Sequence, residues 1–133
     1  MKIVMDTGVI LTALFFGGTS RKIVEAVAQK KVAAYATREI VVEYRAALAK
    51  MTAKKPGDLR PDLLLPITTR LHIIEEKPKP PLCRHPGDDR FLSCALDAKA
   101  VYIVTGFKDL RLRGAGKSVS MMTAEDLGQR LSL

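Results

Sequence analysis

The start of the chain constrains the fold more than any other stretch of the sequence. Residues 2–5, Lys-Ile-Val-Met, form a short β-rich apolar run that ends on the carboxylate of Asp6, and a small-residue turn at Thr7 and Gly8 leads into a second apolar run. This pattern is typical of the first strand of a parallel α/β sheet and the helix that follows it. Ligands of such sheets bind at the carboxyl ends of the strands, where the strand order reverses. Asp6 therefore has two interpretations at this point, a helix N-cap or a functional acid.

The remaining sequence alternates apolar strand patterns with amphipathic helix patterns, which predicts a parallel sheet covered by helices on both faces. Thr19 or Ser20, Thr37 and Thr123 have the chemistry of helix N-caps. The sequence has no internal repeat and no domain boundary, so residues 1–133 are expected to form one domain. The predicted strands after the first are 32–36, 71–75, 101–105 and 119–122, and the predicted helices after the first are 21–30, 38–50, 62–70, one that begins at Asp88 or Asp89, and 123–131.

The net charge of +8 points to a polyanionic partner, either nucleic acid or an anionic membrane surface. Aromatic residues make up only 5% of the chain and tryptophan is absent, so base-stacking platforms are scarce and recognition through phosphates fits better. An alternative is a basic protein whose lysines only keep it in solution.

The apolar runs and the cysteines bound the location of the chain. The longest apolar run is too short to span a bilayer, and Asp6 interrupts what would be the apolar core of a secretion signal. We therefore expect a cytoplasmic protein with no membrane partner. Cys83 and Cys94 lack the spacing of a zinc site or a disulfide framework and are predicted to be free thiols.

Four acids are predicted to meet at one edge of the sheet. Asp6 and Asp109 each follow a strand on its carboxyl side, and Asp89 opens the helix that leads into the strand ending at Thr105. Glu43 lies at the margin of the apolar stripe of the helix after the second strand, where it can reach a cleft beside the sheet. If the first and fourth strands are neighbours, these side chains can share that cleft.

Ordinary structural roles remain possible for the same acids. Glu43 could be a surface residue paired with Arg45 or Lys50 of its own helix, and such pairs are common and weak. A helix N-cap explains Asp6 without any chemistry.

A cluster of carboxylates is unfavourable unless a cation neutralises it. Ligands that are all oxygen suit Mg²⁺ or Mn²⁺, and such an ion activates water and stabilises charge at a phosphodiester. A metal-dependent nuclease needs acids that hold the metal and basic residues that hold the nucleic-acid backbone. The sequence contains both and therefore predicts such an enzyme. The basic residues expected to contact phosphates, with a solvated loop as the alternative, are Lys54, Lys55, Arg111, Arg113 and Lys117.

Four segments together resemble a known family. The segments DTGVILTALFFGG, EIVVEYRAAL, CRHPGDDRFLSCAL and VYIVTGFKDL resemble those of the PIN-domain ribonucleases, above all the toxin components of toxin–antitoxin pairs. The resemblance covers essentially the whole chain and preserves segment order. It implies a three-layer α/β/α sandwich with a central parallel sheet of strand order 3-2-1-4-5. It also implies Mg²⁺- or Mn²⁺-dependent RNA cleavage, a cognate antitoxin as partner, and a homodimer.

The resemblance also assigns roles to residues. Asp6, Glu43 and Asp89 match the family's acids, which ligate metal and position or activate the attacking water. Asp109 is expected either to complete the set as a further metal ligand or to be only a structural turn residue. Asp88 and Thr105 are expected to support the site.

The chain departs from the family pattern at two positions. Gly8 stands where the family usually has Asn, and Phe107 stands where the family usually has an acid. The second hypothesis is therefore a catalytically weakened or inactive PIN-fold protein that binds RNA or regulates.

Two nucleotide-binding interpretations are rejected. Residues 114–118, GAGKS, end like a P-loop, but that motif needs glycine at Arg111 and a helix after Ser118, where a strand is predicted. A nucleotide-binding Rossmann domain would need a G-x-G-x-x-G motif, which the sequence lacks. The residues interpreted as structural are His72, His85 and Asp97.

Overall fold

The computed structural model describes residues 1–55, 57, 64–78, 89–106 and 118–133, with residues 64–66 described by their backbone only. Five strands form one sheet in which every neighbouring pair is parallel. In chain order they are β1 (Lys2–Met5), β2 (Ala33–Ala36), β3 (His72–Ile73), β4 (Tyr102–Thr105) and β5 (Ser120–Thr123). Their spatial order is β3-β2-β1-β4-β5, so the predicted α/β sandwich and strand order are confirmed.

Six helices accompany the sheet within the described part of the chain. They are α1 (Thr7–Phe15), α2 (Gly18–Ala28), α3 (Arg38–Lys54), α4 (Leu64–Arg70), α5 (Asp89–Ala98) and α6 (Ala124–Arg130). Helix α1 packs against α2 and α3, whereas α5 packs on β1, β2 and β4 and also touches α3. None of the helices in the described ranges has the length and apolar character needed to cross a membrane.

The core is built around the central strand β1. Ile3, Val4 and Met5 are buried on both faces of the sheet, as expected for a strand with parallel neighbours on each side. Helix α1 buries Ile10 and Leu14 completely. Each fully buried side chain of this size stabilises the fold by about 1.5–3 kcal/mol. The position of Asp6, directly between β1 and α1, is therefore fixed by the best-packed part of the molecule.

Two of the predicted helix starts are confirmed by their caps. The Thr37 hydroxyl accepts the backbone N–H of Ile40 at 3.2 Å, and the Thr123 hydroxyl accepts that of Asp126 at 3.1 Å. Each hydroxyl satisfies a backbone donor that a helix N-terminus leaves unpaired.

The cap prediction for α2 was wrong. This helix begins at Gly18 with Gly17 as its N-cap, whereas the sequence was interpreted as a cap at Thr19 or Ser20. Gly17 and Gly18 have φ angles of 85° and 66°, which are backbone conformations that glycine adopts without steric cost. The chain therefore reverses within two residues, and the helix starts earlier than a side-chain cap would allow.

Strand β3 is shorter than predicted. It covers His72–Ile73, although residues 71–75 alternate well enough to suggest a longer strand. As an edge strand it pairs only with β2, which itself ends at Ala36. One further backbone bond, from Ile74 N–H to the Ala36 carbonyl at 2.9 Å, ends the pairing.

Candidate active site

The site begins where β1 and β4 end side by side. Met5 pairs with Val104, and the backbone N–H of Asp6 donates to the Val104 carbonyl at 2.9 Å. Thr105, the buried last residue of β4, therefore lies next to Asp6. The strand order reverses between β1 and β4, which makes this the crevice where ligands of open α/β sheets bind.

Asp6 is both a helix cap and an acid at this crevice. Its Oδ1 accepts a hydrogen bond from the backbone N–H of Val9 at 2.9 Å, so Asp6 caps α1. The N-cap interpretation of Asp6 is therefore confirmed. The partial positive charge of a helix N-terminus attracts a negatively charged group at this position. A Cβ atom at Gly8 would lie 3.5 Å from Asp6 Oδ1, so the absence of a side chain at Gly8 keeps that side of the carboxylate uncovered.

Glu43 joins the same site from α3. Its Oε2 accepts a hydrogen bond from the Thr7 hydroxyl, and its Oε1 forms an ion pair with Nη1 of Arg90 at 2.9 Å. Thr7 belongs to α1 and Arg90 to α5, so one carboxylate links three helices. The alternative interpretation, in which Glu43 pairs with Arg45 or Lys50 of its own helix, was wrong, because the side chain contacts α1 and α5.

Tyr44 fixes α3 against the end of β1. The buried Tyr44 hydroxyl donates to the carbonyl of Met5, the residue immediately before Asp6. Burial raises the pKa of Tyr44 well above its ordinary value, and the charges of Cys94, Asp6 and Glu43 raise this pKa further. The carboxylates of Asp6 and Glu43 therefore lie within electrostatic range of one hydroxyl group.

Asp89 is the first residue of α5, at the same edge of the sheet. The next residue along the chain, Arg90, contacts Glu43, which brings the first turn of α5 against α3. Asp89 is half-buried and lies in the first turn of α5. Within the ranges that the structure covers, no three or more Asp, Glu, His or Cys side chains form a group that could hold a metal ion.

Several predicted site residues lie outside the described residues. These are Asp88, Asp109, Arg111, Arg113 and Lys117, together with Phe107, Cys83 and His85.

Lys54 and Lys55 are exposed at the far end of α3. Lys54 follows Glu43 by eleven positions, so at a rise of 1.5 Å per residue it lies about 16 Å along the helix from Glu43. Lys55 Nζ sits 4.4 Å from the centre of the exposed Phe16 ring. These two lysines are therefore outside the acidic site, and any role in binding would be at a distance from it.

The residues interpreted as structural have identifiable contacts. His72 stacks on Tyr35 with ring centres 4.8 Å apart, and Asp97 Oδ2 accepts the backbone N–H of Lys77 at 3.0 Å. Cys94 is a buried free thiol, as predicted.

Three residues of the site were missed by sequence reasoning. Thr7, Tyr44 and Arg90 each stand directly after a predicted acid, and they connect the acids to one another and to β1. Their position beside the acids was a usable signal, but the sequence does not reveal which helix each side chain faces.

The fold and the site together define a parallel α/β sandwich with carboxylates at the switch point of its sheet. A model of the PIN domain matches residues 2–109, which is most of the chain. The protein therefore belongs to the PIN-domain family, whose members are generally nucleases that use divalent metal ions. The matched range contains all four predicted acids. The comparisons with curated proteins and with solved structures gave no significant match.

Proposed function

We propose that the protein is an endoribonuclease that hydrolyses RNA phosphodiesters with the help of Mg²⁺ or Mn²⁺. The observation that carries this proposal is the meeting of Asp6 with the Thr7–Glu43–Arg90 contacts at the switch point of the sheet. Side chains from α1, α3 and α5 converge there beside Asp6, which packing alone does not require. Membership of the PIN-domain family supports the same reaction class.

The donor chemistry of the site fits a hard divalent cation. Asp6, Asp89 and Asp109 would hold the ion through carboxylate oxygens, which are the ligands that Mg²⁺ and Mn²⁺ prefer. When bound, such an ion supplies positive charge for the phosphodiester and lowers the pKa of a water molecule. The acids Asp6 and Glu43 both raise the pKa of Tyr44, and a cation bound at the site would offset their negative charge.

The other residues take supporting roles in this proposal. Glu43 accepts a proton from, or orients, the attacking water, and the hydroxyl of Thr7 fixes the rotamer of Glu43. Thr105 offers a hydroxyl beside Asp6, and Asp88 adds negative charge next to Asp89. The RNA backbone is held by Lys54 and Lys55 at the far end of α3, and by Arg111, Arg113 and Lys117.

The biological setting is also part of the proposal. The segment resemblance to toxin components supports a cytoplasmic toxin that forms a homodimer and is neutralised by a cognate antitoxin. Light scattering on the purified protein tests the dimer. Rescue of growth by co-expression of the adjacent reading frame tests the antitoxin.

The cleavage proposal is tested with a labelled single-stranded RNA, in Mg²⁺ or Mn²⁺ and then in EDTA. We expect cleavage that EDTA abolishes, and a loss of at least about 100-fold in Asp6→Asn and Asp89→Asn. Asparagine caps a helix as well as aspartate does, so Asp6→Asn removes charge while keeping α1 capped. Asp97→Asn is the matched control, because Asp97 lies on α5 and contacts Lys77. Cleavage that persists in EDTA, or no cleavage with either ion, contradicts the proposal.

The second candidate is a PIN-fold protein that binds RNA without cutting it. The ion pair between Arg90 and Glu43 favours this candidate, because it already neutralises one of the acids. Such a protein would bind RNA equally well in EDTA and in Asp6→Asn, with strong dependence on salt.

A further inference from the structure

We infer that Arg90 is the residue that binds the RNA phosphate inside the acidic site, and that Glu43 holds its guanidinium in position for that contact. This inference rests on the proposed function and adds to it a specific phosphate-binding residue. It starts from the position of Arg90 in the second place of α5, at the carboxyl edge of the sheet.

The geometry of Arg90 leaves room for a ligand. Its Nη1 lies 2.9 Å from Glu43 Oε1, and the Arg90 side chain is 38% exposed. A guanidinium group carries five N–H donors, so this contact uses only a part of its donor capacity. The group is therefore held at one end and open to solvent at the other.

The charges of the site require a cation at this place. Asp6, Glu43 and Asp89 bring negative charge to the edge where a polyanionic RNA strand would have to enter. Coulomb repulsion between these acids and a phosphate is reduced by a positive side chain among them. Arginine suits this task because its planar fork binds two phosphate oxygens at once.

The ion pair with Glu43 leaves Arg90 able to bind a second anion. Arg90 and Glu43 are both partly exposed, at 38% and 32%, and pairs of this kind contribute little to stability. An RNA phosphodiester carries one negative charge, as a carboxylate does, and it can bind the guanidinium N–H donors that the contact with Glu43 leaves unused. Glu43 keeps its hydrogen bond from Thr7 throughout and stays in place for the water.

Removal of the Arg90 charge should have opposite effects on the two ligands of the site. Arg90→Gln leaves Glu43 without a competing cation, so the affinity for Mn²⁺ alone should rise by about twofold to tenfold. The affinity for single-stranded RNA, measured in an Asp6→Asn background that does not cleave, should fall by about tenfold. The slope of log affinity against log salt should decrease by about one.

Calorimetry with Mn²⁺ and fluorescence anisotropy with RNA measure the two quantities separately. Arg90→Lys keeps the charge but not the fork, so RNA affinity should fall between that of the parent and that of Arg90→Gln. Arg70→Gln, which removes the same charge from the end of α4, should change neither quantity. If Arg90→Gln does not fold, the RNA affinity of Arg90→Lys decides the role of Arg90. Because lysine keeps the charge, a lower RNA affinity in this variant indicates that the guanidinium fork contacts a phosphate.

The outcomes distinguish this inference from the proposed function. If Arg90→Gln weakens Mn²⁺ binding and leaves the RNA salt slope unchanged, Arg90 is only a structural partner of Glu43 and the inference is overturned. If the unmodified protein cuts no RNA, the proposed function fails. The Mn²⁺ and RNA affinities still decide the role of Arg90 in that case.

Discussion

The helices are held in different ways at the two edges of the sheet. At the amino edge, helices α2 and α5 end in backbone hydrogen bonds, with Lys31 N–H to the Ala26 carbonyl at 2.9 Å and Ala100 N–H to the Ala95 carbonyl at 2.8 Å. At the carboxyl edge, the contacts between α1, α3 and α5 are made by side chains, through Glu43.

This difference indicates which charges in a basic protein matter for function. The lysines at the amino edge are exposed, and their backbone N–H groups donate to carbonyls at the ends of α2 and α5. They are Lys30, Lys31 and Lys99. At the carboxyl edge, Glu43 and Arg90 pair across α3 and α5. A cluster of charge is usually a solvated surface, whereas charged side chains paired across several elements in a crevice are candidates for chemistry.

Among the variants that test the difference between the two edges, Glu43→Gln is expected to have the largest effect on RNA cleavage. Glutamine keeps the shape and can still accept from Thr7, but it loses the negative charge that pairs with Arg90. We expect RNA cleavage to fall by about 100-fold or more, with little change in the free energy of unfolding because exposed ion pairs contribute at most about 1 kcal/mol. Cleavage rates and urea denaturation measure the two effects.

Glu39→Gln is the matched control for that substitution. Glu39 lies one turn earlier on the same helix and is exposed. Equal activity losses in the two variants would mean that the charge of α3 as a whole matters, and the distinction between the edges would lose its basis.

Tyr44→Phe is expected to have the next largest effect. It removes the hydroxyl that bonds to the Met5 carbonyl and leaves a buried acceptor unsatisfied, which costs about 1–3 kcal/mol of the free energy of unfolding. Cleavage should fall as well, because the end of β1 and Asp6 lose their tether to α3. Tyr35→Phe is the control, because Tyr35 is only partly buried and stacks on His72. A Tyr44→Phe variant as stable as the parent would show that this tether is dispensable.

The raised pKa of Tyr44 gives the same variant a test by pH. The neutral hydroxyl contributes stability below the unfolded pKa of about 10, and this contribution is lost as the pH rises through the higher folded pKa. Denaturation curves should therefore show the parent losing stability above about pH 10, with a smaller loss in Tyr44→Phe.

The general fold was predictable because its signals are local and repeated. Apolar strand runs that alternate with helical patterns gave the parallel sheet, and Thr37 gave the start of α3. Asp6 was recognisable as an acid at the end of the first strand. Its cap role is confirmed by the hydrogen bond from Val9, and its role in the site stays a prediction.

The contacts of the site could not be predicted, for physical reasons. The angle of Glu43 on its helix shows that it lies at a rim, but not that α5 faces that rim and supplies Arg90. Tyr44 was recognised as part of an apolar stripe, while the partner of its hydroxyl depends on how closely α3 approaches β1. The end of α2 was misjudged by two residues, because Lys30 occupies a backbone conformation that usually signals glycine.

A smaller effect is expected from the lysines at the end of α3. If Lys54 and Lys55 hold RNA phosphates, the double variant Lys54→Gln and Lys55→Gln should weaken RNA binding by up to about tenfold and lower the salt slope by about two. The same change at Lys30 and Lys31, on the amino edge, should leave both quantities unaltered. Equal losses in the two pairs would indicate that net charge alone attracts RNA. Fluorescence anisotropy across a salt series measures both.

The smallest effect should come from Lys99, where the amino edge relies on its backbone. Lys99 has a φ angle of 58°, and its N–H donates to the Leu96 carbonyl at 3.2 Å, in the helix-ending motif that usually has glycine at this position. Lysine and alanine both bear the steric cost of this conformation, about 1 kcal/mol, which glycine avoids at the expense of a more flexible unfolded chain. Both variants lose the same positive charge from the end of α5. Lys99→Gly should therefore be more stable than Lys99→Ala by up to about 1 kcal/mol in urea denaturation, with RNA cleavage unchanged in both. A Lys99→Ala variant as stable as Lys99→Gly would mean that the backbone at this edge is not strained, and a loss of cleavage in either would remove the separation between the two edges.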